Sequence, residues 1–218
     1  MTERTRYRDV TSEFTGVVSE VQRIGTTHVR VVLSEMPVLD LLDTIAIDVG
    51  GTLRRYSVSN VGEGSVEFVA YRTKRGPATE YLDSLQVGAH VAGLAPERPV
   101  KTPPPEATRV LVIGDDTAVG VARAVSVSHA GRVSTAIVGE VMPEAVAELT
   151  GAAVRVVDTN DELLAWVTSV APQSSDHLIL VGEQALNQQV RQHAFGLGVE
   201  KDALATRTFW RPDKAGIE

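Results

Sequence analysis

The chain has 218 residues, 43% of them hydrophobic and 22% charged, with a net charge of −7 and no cysteine. That balance suits a globular chain of one large or two small domains, and the charge argues against nucleic acid as a partner. It also excludes disulfides, thiolate metal sites and cysteine nucleophiles. No uncharged apolar run reaches the roughly 18 residues a membrane helix needs. "MTERTRYRDV" lacks the apolar core of a secretory signal, so a cytoplasmic protein without a membrane partner is expected.

In chain order, "EFTGVVSEVQRI", "THVRVVLSE", "TIAIDVGGTLRRYSVSN", "SVEFVAYRT" and "HVAGLAP" read as short β-rich runs. Gly50-Gly51 and Gly62-Glu63-Gly64 are turn signals among them. Strands of this spacing predict a small antiparallel barrel or sandwich. One helix is expected within it, opening near Pro77 and running through "ATEYLDSL". "RPVKTPPPEATR" is the proline-dense stretch, and prolines this close continue neither a helix nor a central strand. The boundary is placed there: a first domain over residues 1–100, a linker over 101–107 and a second domain over 108–218. Beyond it "RVLVIG", "VSTAIVG", "AAVRVVD" and "HLILVG" read as buried strands, each followed by a helical segment, and "ATRTFW" as a last strand. This alternation predicts a doubly wound parallel α/β sheet.

Three stretches suit chemistry. In "LRRYSVSN", Arg54 offers a guanidinium for a phosphate and Tyr56 a flat ring. Ser57 and Ser59 share one side of a strand, suited to a polyhydroxyl chain. The same residues also suit an exposed strand end with a half-buried tyrosine. In "YRTKRGPATEYL", Gly76-Pro77 opens a helix whose N–H groups at Ala78 and Thr79 form an anion site beside Lys74 and Arg75; an ordinary proline-started helix reads the same way. "VLVIGDDTAVG" places a strand-to-helix turn where open parallel sheets bind ligands, but Asp115 and Asp116 replace the small residues of a dinucleotide fingerprint. Carboxylates there repel phosphate, and Asp116 or Thr117 also reads as a helix cap. Glu183 and Glu140 end two further strands on the same edge; Glu140 suits a ribose hydroxyl, and both suit a helix dipole. Trp210 closes the strand that reaches this edge. The five histidines have no metal-ligand spacing and no serine stands in GxSxG.

Together the motifs resemble the siderophore-interacting protein family, flavin-dependent ferric-siderophore reductases of the ferredoxin-NADP reductase-like superfamily. "RRYSVSN" is similar to its Arg-x-Tyr-[Thr/Ser] flavin motif and "RGPATEYL" to its Gly-Pro-Ala-Ser helix start. "VIGDDTAVGVARAV" resembles its Gly-Asp-Glu-Thr turn, and "LVGEQALNQQVRQHAFGLG" with "TRTFWRPDKA" its Gly-Glu helix and Tyr-Trp-Arg end. The resemblance implies an FAD-binding β-barrel followed by a Rossmann-like α/β domain for NAD(P)H. Arg54 would hold the FAD phosphates, and Tyr56, Ser57, the Val58 backbone and Ser59 would border the ring and ribityl chain. Gly76, Pro77, Ala78 and Thr79 would cradle the pyrophosphate. Asp115, Asp116, Thr117, Gly182, Glu183 and Trp210 would border the nicotinamide nucleotide, and Arg72, Lys74 and Arg75 would attract an anionic ferric siderophore. Electrons would come from NAD(P)H or a ferredoxin. Ser59 stands where the family usually has an arginine, which leaves one phosphate partner fewer. A binding protein of the same fold without turnover and a general flavin reductase are the alternative readings.

Overall fold

The computed structural model describes residues 11–72, 75–97 and 99–212; Lys74 lies outside them. Six antiparallel strands close a barrel in the order β1-β2-β5-β4-β3-β6. They are β1 (Ser12–Ile24), β2 (His28–Ser34), β3 (Thr44–Val49), β4 (Thr52–Gly62), β5 (Ser65–Tyr71) and β6 (His90–Glu97). Alternation fixes which side faces inward: Val29, Val31 and Leu33 of β2 are buried together with Phe68, Ile45, Ile47 and Val58. Gly50 and Gly51 turn the chain between β3 and β4, and the Asp48 carboxylate accepts the Gly51 N–H at 2.7 Å. Helix α1 (Pro77–Ser84) bridges β5 and β6, starting at Pro77 as the ring's fixed φ favours.

The second half is a parallel sheet ordered β11-β10-β7-β8-β9. Its strands are β7 (Arg109–Asp115), β8 (Val133–Val138), β9 (Ala153–Val157), β10 (Asp176–Glu183) and β11 (Leu204–Trp210). Helices α2 (Val119–Ser128), α3 (Pro143–Thr150), α4 (Asn160–Ser169) and α5 (Gln184–Gly196) connect them. The central strands β7 and β10 are apolar through their middles, Val110 to Ile113 and Leu178 to Val181, because both faces are covered there. The expected β-barrel followed by a parallel α/β sheet is therefore what the chain forms.

Barrel and sheet share apolar cores. Ile24 and Val69 of the barrel pack with Val119, Ile137, Val141 and Val146. Leu42 packs with Val100, Ala107, Val121 and Val125, so the proline-rich stretch is docked between the two halves. Arg132 Nη1 donates to the carbonyls of Pro105 and Ala107, 2.9 Å each. His28 Nε2 donates to the Asp116 carbonyl at 2.7 Å across the same boundary, while its Nδ1 lies 3.0 Å from the Thr27 hydroxyl and its ring against Tyr71.

Burial holds the His28 imidazole below its ordinary value, outweighing the opposing bond to Asp116. His177 shifts the same way, by burial first, then Lys101 and His129. Each binds a proton more readily in the unfolded chain, so their contribution is full above about pH 6.5 and falls as pH drops toward the lower folded values. Urea-unfolding free energies are expected to decline on acidification from about pH 7.5, with a limiting slope of about 1.4 kcal/mol per pH unit per histidine. The variants His28→Gln and His177→Gln should flatten that decline; identical slopes in all three proteins would contradict it.

Candidate functional site: a basic cleft between barrel and sheet

A cavity of about 390 Å³ opens where β4, α2 and β11 meet, within the ~300–1,000 Å³ typical of ligand and cofactor pockets. Arg54, Arg55, Tyr56 and Ser57 of β4 form one wall; Thr117, Gly120 and Val121 form its floor with Val69, Ala70 and Tyr71. Arg207, Phe209, Trp210 and Arg211 close the far side, and Ala78 at the start of α1 contributes to the rim. Four arginines thus line one cleft in a chain that is acidic overall.

Two polar atoms in this wall stand out. Arg54 Nε and Ser57 Oγ are buried and make no hydrogen bond among the described residues. Buried polar atoms are normally paired, and leaving one unpaired costs about 1–3 kcal/mol. Both belong to residues lining the cavity, so a polar group with acceptors for the guanidinium and a partner for the hydroxyl would satisfy them there. The Tyr56 ring stacks on Phe68, centroids 4.8 Å apart and planes 28° from parallel. Burial raises its phenol to about 12, against the lowering effect of Arg54. The hydroxyl therefore stays neutral at physiological pH and adds no negative charge to the cleft.

Gly76 caps α1 with φ 140°, a region that favours glycine, and no side chain closes this helix start. Its N-terminal N–H groups remain suited to an anion at the rim.

Other expected site residues lie elsewhere. Ser59 is fully buried and its hydroxyl donates to Glu67 Oε1 at 2.9 Å, away from the cavity lining. The Val58 backbone is already engaged: its N–H donates to the Asp43 carbonyl at 2.7 Å and its carbonyl accepts the Leu42 N–H at 3.0 Å. Arg72 grips Asp83 through Nε and Nη2, 2.8 Å each, and also donates to the Thr26 carbonyl. With Arg23 it holds the Asp83 carboxyl down at about 2. Arg72 therefore fastens α1 to the barrel rather than lining the cleft. Thr79 is buried, and Arg75 is exposed outside the lining.

At the carboxyl edge of the sheet, Asp115 gathers three strand ends. Its Oδ1 accepts the Thr117 N–H at 2.8 Å and the Thr117 hydroxyl; its Oδ2 accepts the Glu183 N–H and the Trp210 indole N–H, both at 2.7 Å. Asp115 is thus the cap of the turn, in place of the expected Asp116 or Thr117, because a short 3₁₀ turn precedes α2. Asp116 points the other way and accepts the Glu140 and Val141 N–H groups at 3.2 and 3.1 Å. Burial, then Asp115 and Glu140, raises its carboxyl above the ordinary range against those two bonds. Gly182 has φ 118°, and a Cβ there would lie 2.5 Å from Asp115 Oδ2, so only glycine leaves this knot intact.

Arg207, Phe209 and Arg211 were not among the residues expected at the site. The signal was present in "RTFWR", where two arginines flank the aromatic pair at the end of the last strand. What was missing was that this end of the chain lines the same cavity as β4.

The same barrel-then-sheet fold is found in solved structures of a ferredoxin reductase and of siderophore-interacting proteins. The ferredoxin reductase of carbazole 1,9a-dioxygenase superposes with a TM-score of 0.72 at 18% identity, over 92% of this chain and 68% of that one. The siderophore-interacting protein of Acinetobacter baumannii aligns with a TM-score of 0.74 at 18% identity, over 94% of this chain and 92% of that one. A siderophore utilization protein from T. fusca aligns over 95% and 96% of the two chains, with a TM-score of 0.74 at 17% identity. The resemblance seen in the motifs is thus matched by the whole fold. No protein-family model and no curated protein matches the sequence.

Proposed function

We propose that the cleft holds the flavin of an oxidoreductase that carries electrons from a reduced nicotinamide nucleotide, or from a ferredoxin, to ferric iron chelated by a siderophore. The observation that carries this reading is the pair of unsatisfied buried atoms, Arg54 Nε and Ser57 Oγ, in a basic cavity beside a neutral tyrosine. Residues 1–100 would form the flavin domain and 108–218 the nicotinamide domain, joined by 101–107. Arg54 would pair with the diphosphate, Ser57 with the ring or ribityl hydroxyls, and Gly76, Pro77 and Ala78 would border the phosphates. When bound, FAD supplies the chemistry of accepting two electrons and releasing them singly, so no protein acid or base is required. The chain's own residues bind, orient and exclude water. Reduction weakens the ferric chelate and releases ferrous iron.

The test is a titration of the purified protein with FAD followed by visible absorbance. The flavin bands should sharpen on binding, and Arg54→Ala should weaken affinity by about tenfold or more, the value of one charged hydrogen bond. A protein whose spectrum with FAD is that of free flavin, unaltered by the substitution, would refute the assignment. The closed knot at Asp115 supports a second reading, a flavin-binding protein without turnover; bound flavin that NADH, NADPH and reduced ferredoxin all leave oxidised would establish it.

A further inference from the structure

In an open parallel sheet the first strand-to-helix turn offers its N–H groups to a dinucleotide's phosphates. Here the Thr117 N–H and the Glu183 N–H both point at the Asp115 carboxylate. An internal anion already sits where the phosphate of a donor would dock, and Gly182 lets the chain close around it. The neighbouring strand ends carry no compensating charge. Asp116 follows β7, Glu140 lies beyond β8, Asp158 follows β9 and Gln184 follows β10; the residue after β11 is Arg211.

Arg211 stands immediately beyond Trp210, whose indole N–H ties the end of β11 to this same turn. Arg211 and Arg207 line the same cleft as Arg54 and Arg55 but come from the sheet and not the barrel. The two arginines of β4 suit one diphosphate, that of the flavin, and Arg207 with Arg211 suits a second.

Resting on the flavin reading above, we propose that the nicotinamide donor's diphosphate is bound by Arg211, supported by Arg207, and not by the β7–α2 turn. The donor approaches at the carboxyl edge, and its anionic centre lies on the β11 side of Trp210. Arg211 is exposed, so replacing it leaves the fold intact.

The experiment titrates the FAD-saturated protein with ADP-ribose by calorimetry and with NADH by anaerobic flavin reduction. Arg211→Gln should raise the dissociation constant for ADP-ribose and the half-saturating NADH concentration by about tenfold. It should also flatten their dependence on salt, and Arg211→Lys should recover part of the loss. Arg207→Gln should act in the same direction. An unchanged ADP-ribose affinity in Arg211→Gln overturns the proposal. So does a variant in which only reoxidation by ferric citrate slows, since that places Arg211 on the acceptor. The FAD titration reports separately: normal flavin binding with no effect at Arg211 removes this inference alone, whereas absent flavin binding removes the reading beneath it.

Discussion

Arg30→Met is expected to lower the free energy of unfolding by about 3 kcal/mol, the lower end of what breaking a buried ion pair costs. The reason is Glu67 of β5, which is 3% exposed. Arg30 Nε donates to its Oε2 at 2.5 Å, while Ser59 Oγ and Arg123 Nε reach Oε1 at 2.9 and 3.3 Å. Removing Arg30 strips Oε2 of its partner and leaves the charge out of water with one weaker cation. Adding Glu67→Leu should restore most of the loss, because an apolar side chain of similar size needs no cation. Chemical denaturation of the three proteins measures this. A single-variant loss below about 1 kcal/mol, the range of exposed pairs, would show that Glu67 is better solvated than its burial indicates. Arg123 belongs to α2 and also donates to the Leu149 carbonyl at 2.9 Å, so the network joins the barrel to the helices of the second half.

The elements were legible because period-two and period-3.6 patterns are local. "HVRVVLS" and "RVLVIGD" declare their faces residue by residue, and Pro77 and Pro143 open helices as the ring geometry dictates. Which strands pair is not local. That β1 pairs with both β2 and β6, closing the barrel, follows from the shape of the whole sheet. The site divides the same way. Arg54, Tyr56 and Ser57 were legible because one short strand carries all three toward the cleft. Arg72 stands apart from the cleft lining because proximity in sequence groups like charges and overlooks the partner. Asp83 lies on α1, and the helix folds back to meet Arg72. Ser59 stands apart for a related reason: it shares a face with Ser57, but a bulge after Val58 and the buried Glu67 take its hydroxyl. A carboxylate in a core is invisible to any pattern that counts only apolar positions.

Asp115→Ala is expected to destabilise the protein by about 3 kcal/mol, because the Thr117, Glu183 and Trp210 N–H groups lose a charged acceptor. The turn is only part-buried, so water recovers some of the loss. Asp115→Asn should be no better despite its shape. Its amide oxygen can serve the Thr117 groups, but its NH₂ then faces two donors, Glu183 N–H and Trp210 Nε1–H, and cannot accept from either. The loss has a specific remedy. Without the carboxylate, the two backbone N–H groups and the start of α2 become an open anion site, and sulfate should bind there. At ten times its dissociation constant, sulfate should return about 1.4 kcal/mol to Asp115→Ala. Sulfate also strengthens apolar burial in every protein, so the informative quantity is the gain in the variant beyond that in the parent at equal concentration. Trp210, freed from its acceptor, should report the change by its fluorescence. Equal sulfate gains in both proteins would mean that the turn does not bind an anion when emptied, and that Asp115 acts only as a cap.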